Sequence, residues 1–560
     1  METNTEQNTS GRAVRRAKYA TNAIVSVVLL AIFLIALNWF VKQAPMRVDL
    51  TRNKTFTTSP ATERFLAGLN DNVNITVYAT EADIPPNWMQ TKQRLRELLG
   101  EFRRLSNNRV NYTFKDPSST PELAQEAEEA GVQAQPMQQA SATEASVKLG
   151  YLGLSAEYQG KKEPIPGIAP NSQLEYQLVR LINKMAQVNT PKVALMAPAG
   201  NPMMGEGGQF QIISQVMTEE GFEVLPINPE SPEDFSNAKL LMIFDPPAQL
   251  SDETLYKIDQ YVMKGGSLFV AGPGVQMGSN MGQPNITPGA PNINSLLEHY
   301  GLRINEDLIE DWEHGFDVPA RNRMGQLAIV KNPLMFRAIN LSKDSPITAK
   351  ISSGAALAFT SSVSQSDKGT SAAVTSLITS SKNSRLQEQI FNIDPLKLQP
   401  PTDEAVLKEY GVMLMVKGNL TSRYADATAA PVLTNEDGST RSVAVSEIVA
   451  ETTQPATVIV QGSALSFSDN IIQQFQPNAT FPVNIAESVA RDDGGFLEMR
   501  GREYAMPALK KVTESKALWT QALVVLGIPA LIILFGILQY VLRRMKMARY
   551  RREYGSSRAS

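Results

Sequence analysis

The chain has 560 residues, 42% of them hydrophobic and 19% charged, with a formal net charge of −3; that length and balance predict several globular domains. It holds no cysteine and two histidines, His299 and His314, which excludes disulfides, cysteine-based zinc sites and thiol nucleophiles. Residues 1–20 carry a net +2 and residues 543–560 a net +6, leaving −11 for the middle; basic ends around an acidic middle argue against a nucleic-acid protein.

After the tail of residues 1–20, Thr21 to Val41 is a 21-residue run without a charge. At 1.5 Å per residue it is long enough for about 30 Å of hydrocarbon. Trp39 and Phe40 stand at its exit end, where interfacial aromatics sit, so residues 21–41 are expected to be an uncleaved anchor. Residues 517–542 form a second expected span, with Trp519 and Tyr540 near its ends. Arg543, Arg544, Lys546, Arg549, Arg551 and Arg552 follow. The positive-inside rule puts both termini in the cytoplasm and the chain between the spans outside it.

Between the spans, Val73, Ile75 and Val77 alternate as a strand, and Leu95, Leu98, Leu99 and Phe102 mark a helix over Thr91–Leu105. Val110, Tyr112 and Phe114 predict a second strand, and Thr120-Pro121 caps a short helix ending at Gly131. A loose Gln/Ala/Ser stretch over 132–148 leads to a strand at Tyr151–Tyr158 and a helix at Ser172–Lys184. This β-α-β-α-β-α order predicts a thioredoxin-like domain over 45–188, without the cysteines of thioredoxin redox chemistry.

The second expected domain covers 190–495. Strands at Lys192–Ala197, Phe222–Ile227, Lys239–Phe244 and Ser267–Ala271 alternate with helices at Phe210–Glu220 and from Ser251 through Lys264. That alternation predicts a parallel, doubly wound α/β sheet of flavodoxin-like type. Gly272–Pro291 reads as a long loop, residues 324–470 as a β-rich extension, and Phe481–Arg491 as a final helix. Residues 496–516 read as a juxtamembrane connector, and 543–560 as the basic cytoplasmic tail.

Several segments together carry a resemblance: Asp49–Pro60 after the first span, Leu174-Glu-Tyr-Gln-Leu178, the run Leu240–Gly266 continuing into SLFVAGP, VIVQGSALSFSDN, and the second span with its Arg tail. Together they resemble the GldG-like family, auxiliary components of an ABC-type transport system linked to gliding motility. The resemblance implies a multispan permease-like partner and a separate cytoplasmic ATPase. It also implies an outer domain like the intraflagellar-transport module and class I glutamine amidotransferases. An amidotransferase-like sheet catalyses only with a cysteine at its strand-to-helix elbow, and Ala271-Gly-Pro-Gly274 offers no nucleophile.

Other candidate sites are sparse. The loop 199–208, with Gly205, Gly207 and Gly208, precedes a helix, a place where backbone N–H groups bind anions. It lacks the Gly-Lys-Ser/Thr ending of a nucleotide loop, so a tight turn or partner contact is expected. Asp245-Pro246, Gly272 and Gly274 end two strands, making these loops candidate contact points for a partner or ligand. Asp311, Glu313, His314 and Asp317 are the densest polar cluster. A divalent cation is one reading of them, and an exposed acidic loop is the commoner one. The expectation is a non-catalytic auxiliary subunit without cofactor, acting with the permease-like subunit, the ATPase and the lipid bilayer. A free-standing envelope binding protein for glycan or peptide is the alternative.

Overall fold

The computed structural model describes residues 58–491, apart from 83, 141–144, 171–172, 188–189, 198–208, 231–234, 281–282, 322–324, 350, 352, 369–371, 426–431 and 435–438. It also describes Leu497, single positions within 25–33 and 523–529, and residues 533–548. Residues Met1–Glu503 and Tyr504–Ser560 are separate units. In the second unit, helix 533–548 carries exposed Leu534, Phe535, Ile537 and Leu538 and then Arg543, Arg544 and Lys546. No helix among the described residues is long and apolar enough to cross a membrane; the two expected spans fall largely outside those residues.

In the first unit, β1 (Val73–Ala79), β2 (Val110–Lys115), β3 (Leu152–Tyr158) and β4 (Lys161–Ile165) form a sheet in the order β2-β1-β3-β4. β1 runs parallel to β2 and antiparallel to β3, which is antiparallel to β4. The period-2 pattern of β1 is its cause: Val73, Ile75 and Val77 are buried while Asn74 is exposed. Helices α1 (Pro60–Ala67), α2 (Pro86–Leu105), α3 (Pro121–Glu129) and α4 (Leu174–Ala186) accompany it. Leu95, Leu99 and Phe102 of α2 and Leu178 and Ile182 of α4 enter one core with β1. α2 starts five residues ahead of the expected Thr91, because Pro86 suits the first turn, where no amide partner is needed. Thr120 caps α3 as expected, accepting from the Leu123 amide at 3.3 Å. The stretch expected to be loose is corrected: Gln135–Ala140 and Ala145–Gly150 pair as a hairpin. Its first strand, QPMQQA, lacks alternating hydrophobicity, and the alternation of Val147 and Leu149 in the second is short and exposed, so the pairing is not apparent in the sequence. β4 was also not expected, since Pro164 interrupts its pattern; an edge strand tolerates the proline.

The second sheet has eight strands: β5 (Lys192–Met196), β6 (Glu223–Ile227), β7 (Leu240–Phe244), β8 (Ser267–Ala271), β9 (Asn340–Leu341), β10 (Val374–Thr379), β11 (Gly411–Gly418) and β12 (Ala456–Gln461). Their order is β9-β10-β11-β12-β8-β7-β5-β6. The expectation of a parallel sheet holds from β6 to β12 and is corrected beyond it. β12, β11, β10 and β9 pair antiparallel, so the sheet is mixed. The chain from β10 to β11 contains no α-helix among the described residues, and parallel neighbours need such a crossover. Gly272–Pro291 is likewise corrected from a loop to a hairpin, Val275–Asn280 with Gln283–Pro288.

Every residue of β7, β8 and β12 is buried, as strands covered on both faces must be. Met242, Phe244 and Phe269 face one core with α5 (Gln211–Glu219), α8 (Asp469–Gln474) and α9 (Thr480–Ala490). Leu241, Ile243 and Leu268 face another with α6 (Asp252–Met263) and α7 (Asn294–His299). Ser251 caps α6, accepting from the Thr254 amide at 3.1 Å. His299 ends α7 as expected, its Nδ1 3.0 Å from the Ser295 carbonyl.

Within the second core, Asp259 of α6 is fully buried and accepts from the Tyr300 hydroxyl at 2.9 Å, the Ser422 hydroxyl at 2.6 Å and the Arg423 amide at 3.2 Å. Burial pushes its carboxyl above the ordinary 3.8, and the hydrogen bonds oppose that shift. Asp259→Ala is expected to lower stability by about 3 kcal/mol, because it strands buried hydroxyls. A raised folded-state value means that ionisation disfavours the fold, so this group's contribution declines as pH rises from 3.8 through the raised value. Denaturant titrations of the native chain and Asp259→Asn across that window check this. Their stability difference shrinks with rising pH and levels off above it.

Candidate functional site

The parallel strands β7, β8 and β12 end side by side, and their backbone ladder runs one residue past each strand. The Asp245 amide donates to the Ala271 carbonyl at 2.9 Å, and the Gly272 amide to the Gln461 carbonyl at 3.0 Å. Ligands of open α/β sheets bind outside the carboxyl ends of such strands. A cleft of about 460 Å³ lies there, lined by residues that include Gln209, Asp245, Pro246, Gln276, Phe359 and Ser463.

Two glycines pack behind its lining residues. A Cβ on Gly272 would lie 2.7 Å from Cδ of Pro246, so the proline ring rests directly on the glycine. A Cβ on Gly274 would lie 1.9 Å from the Asn305 carbonyl oxygen, a contact only glycine allows. The Gly274 amide donates to the Ser361 hydroxyl at 2.8 Å, and that hydroxyl donates to the Asp307 carbonyl at 2.7 Å. The structure thus brings Asp245 and Pro246 together on the cleft and sets Gly272, beneath the Pro246 ring, and Gly274 behind it. Gly205, Gly207 and Gly208 lie outside the described residues; Gln209, next in sequence, lines the cleft.

Asp245 is the sole ionisable residue among the described lining residues. It is half-buried, and burial raises its carboxyl above the ordinary value. Asp245 has φ +49° and Phe359 φ +48°, a left-handed backbone that non-glycine residues rarely adopt. Two such residues on one cleft fit the tendency of strain to gather at functional sites. Gln276, Phe359 and Ser463 were missed by sequence reasoning. They arrive from three distant segments, and no local pattern marks them; the adjoining Gly-rich loop was the signal that pointed toward Gln209.

Asp311 and His314 lie elsewhere, and the reading of 311–317 as an exposed acidic loop is corrected at Asp311, while Glu313 and Asp317 are exposed. Asp311 ends the buried strand Leu308–Asp311 and is fully buried. Its carboxylate accepts from the Ser381 amide at 2.7 Å, the Ser381 hydroxyl at 2.8 Å, and the amides of Glu313 and His314 at 3.1 and 2.9 Å. His314 Nδ1 stands 3.8 Å from the same carboxylate. With its lone pairs taken by protein donors, Asp311 organises the turn into the hairpin formed by Gly315–Arg321 and Leu327–Ala338. Among the described residues, no group of three or more His, Cys, Asp or Glu is arranged to hold a metal.

A larger cavity of about 910 Å³ opens at the amino ends of β7 and β8, beside Lys239, Lys257, Lys264 and Arg441. Lys257 pairs with Glu253 at 3.1 Å and Arg441 with Glu447 at 2.7 Å. It is a solvated charged face at the wrong end of the strands for a ligand site. Asp311→Ala is expected to cost about 3 kcal/mol by leaving buried donors unpaired, and added divalent cations should not alter the melting temperature of the native chain. Gly274→Ala should cost at least about 2 kcal/mol by overpacking against backbone. Denaturant titration checks both substitutions.

Comparison with known proteins follows this geometry. Residues 190–486 match the family described as an ABC-type uncharacterized transport system, and residues 52–157 match a domain of unknown function. The chain is 26% identical over 271 residues to an "Uncharacterized protein" of Borreliella burgdorferi, covering 47% of this chain and 51% of that protein. It thus spans about half the length of the curated relative it matches. Among solved structures, the "mmIFT52 N-terminal domain" is similar at 12% identity and a TM-score of 0.29, over 54% of this chain and 98% of that one. At that score the likeness carries no argument. The first match takes in more than half of the chain, including every strand of the eight-stranded sheet and both cores: the chain belongs to the family of auxiliary proteins of an ABC-type uncharacterized transport system.

Proposed function

We propose that this chain is a non-catalytic auxiliary subunit of an ABC-type transport complex, anchored in the cytoplasmic membrane by residues 21–41 and 517–542. In this reading both termini are cytoplasmic, and the region between the spans lies in the periplasm or outside the cell. It engages a substrate or partner there and works with a multispan permease-like subunit and a cytoplasmic ATPase, in envelope transport or gliding. The order β2-β1-β3-β4 with its helices supports the thioredoxin-like reading of the small half. The cleft at the carboxyl ends of parallel strands supports the amidotransferase-like, flavodoxin-like reading of the large one.

One observation carries the mechanical side of this reading. Arg491 follows the last residue of α9, where the sequence sets out toward 517–542. Its Nη1 donates to Glu487 at 2.7 Å, and its Nη2 donates to the Glu220 and Gly221 carbonyls at 2.8 and 3.3 Å. Its guanidinium lies 4.4 Å from the centre of the Phe222 ring. The Glu220 carboxylate in turn accepts from Arg180 at 3.0 Å and from the Tyr176 hydroxyl, both on α4 of the small half. The exit toward the second anchor is therefore tied to the joint between the two halves. A pull on that exit acts on the joint, which is the coupling that an auxiliary subunit driven by a partner's ATPase requires.

The cleft is the observation that favours the second reading, a free-standing binding protein for glycan or peptide. Mild-detergent purification from native membranes separates the two. The auxiliary reading expects a multispan chain and an ATPase to co-purify with this one. It also expects Arg491→Ala to keep those partners while failing to restore function to a deletion strain. A native chain that emerges alone contradicts it.

A further inference from the structure

The lining of the cleft states a charge preference. Asp245 brings a carboxylate, and the described lining residues include no Lys, Arg or His. Among the described residues, the Asp245 carboxylate has no hydrogen-bond or ion-pair partner, and burial alone accounts for the rise in its pKa. A half-buried carboxylate without a countercharge is costly. The ordinary ligands of this position in α/β sheets, phosphates and nucleotides, would add a second negative charge beside it and are disfavoured. A bound Ca²⁺ or Mg²⁺ would need about six oxygen ligands, and no other carboxylate lines the cleft among the described residues.

A cation carried by an organic body meets both requirements. Pro246, Pro247, Pro273, Phe359 and Leu465 offer apolar walls, while Gln209, Gln276 and Ser463 offer polar groups beside them. About 460 Å³ is within the range of small-ligand sites and suits a monosaccharide or a dipeptide. Resting on the reading of this cleft as a ligand site, we infer that it binds its ligand through a primary ammonium group docked on the Asp245 carboxylate. The ligand class is a small amine with a neutral, hydrogen-bonding body, either an amino sugar or the amino end of a peptide.

The test uses the full-length chain in detergent and isothermal titration with two matched pairs: glucosamine against N-acetylglucosamine, and alanyl-alanine amide against its N-acetyl form. Acetylation removes the charge and leaves the rest of each body. At least one free amine should bind at least about tenfold more tightly than its acetylated counterpart, the scale expected when one partner of a desolvated charge pair is lost. Which amine does so distinguishes the sugar from the peptide source. Asp245→Asn should erase the preference. Asparagine tolerates the left-handed backbone at this position and removes the uncompensated charge, so a melting temperature equal to or above that of the native chain is expected and loss of binding reads as loss of charge. Equal binding of the free and acetylated forms in both pairs, or an Asp245→Asn variant that keeps the preference, overturns the ammonium inference while leaving the cleft as a ligand site. Failure of all four compounds to bind at millimolar concentration overturns both.

Discussion

The structure of the large half depends on one constraint: β7, β8 and β12 are buried on both faces. Every apolar side chain along them belongs to one of two cores, Phe244 and Phe269 to one and Ile243 and Leu268 to the other, and their few polar residues, Ser267, Thr457 and Gln461, sit near the strand ends. Polar chemistry can therefore enter only where the strands run out. At the carboxyl ends this happens within one residue: Phe244 is fully buried, and Asp245 turns left-handed into the cleft. The packing behind the cleft is correspondingly tight, since Gly272 must admit the Pro246 ring and Gly274 must pass beside the Asn305 carbonyl.

Buried polar groups elsewhere follow a different logic. Asp259, Asp307 and Asp311 are each sunk in the fold and each satisfied by hydroxyl or amide donors from distant segments: Ser422 for Asp259, Ser362 for Asp307 and Ser381 for Asp311. These carboxylates hold segments of the β-rich extension, through Ser422, Ser362 and Ser381, to α6 and to the ends of the strand Leu308–Asp311. Asp245 has no such donor among the described residues, and that contrast, rather than burial, sets it apart as the group turned toward a ligand.

Much of the fold was legible in the sequence because its signals were local. LLMIF and SLFVA are continuous apolar runs that match fully buried strands, and Ser251 and Thr120 stand where their helices begin. What escaped depends on distant partners. The first strand of the hairpin at Gln135–Gly150 lacks alternating hydrophobicity, and the antiparallel half of the sheet is decided by which runs find each other. The site was half legible: Asp245, Pro246 and Gly272 announce strand ends, whereas Phe359 and Ser463 reach the cleft from more than 100 residues away in sequence. Asp311 was misread because close spacing of acids resembles a loop, and its burial rests on Ser381.

The central proposal is that the region between residues 21–41 and 517–542 lies outside the cytoplasm, with both ends of the chain within it. The absence of native cysteine makes that directly measurable. Single cysteines are introduced at Lys343, an exposed position in the large half, and at Ser557, in the basic tail. Each is exposed to a membrane-impermeant maleimide in intact spheroplasts. The account predicts that the Lys343→Cys chain is labelled at once, and that the Ser557→Cys chain is labelled only after lysis. Labelling of the tail in intact spheroplasts, or protection of position 343, would contradict it.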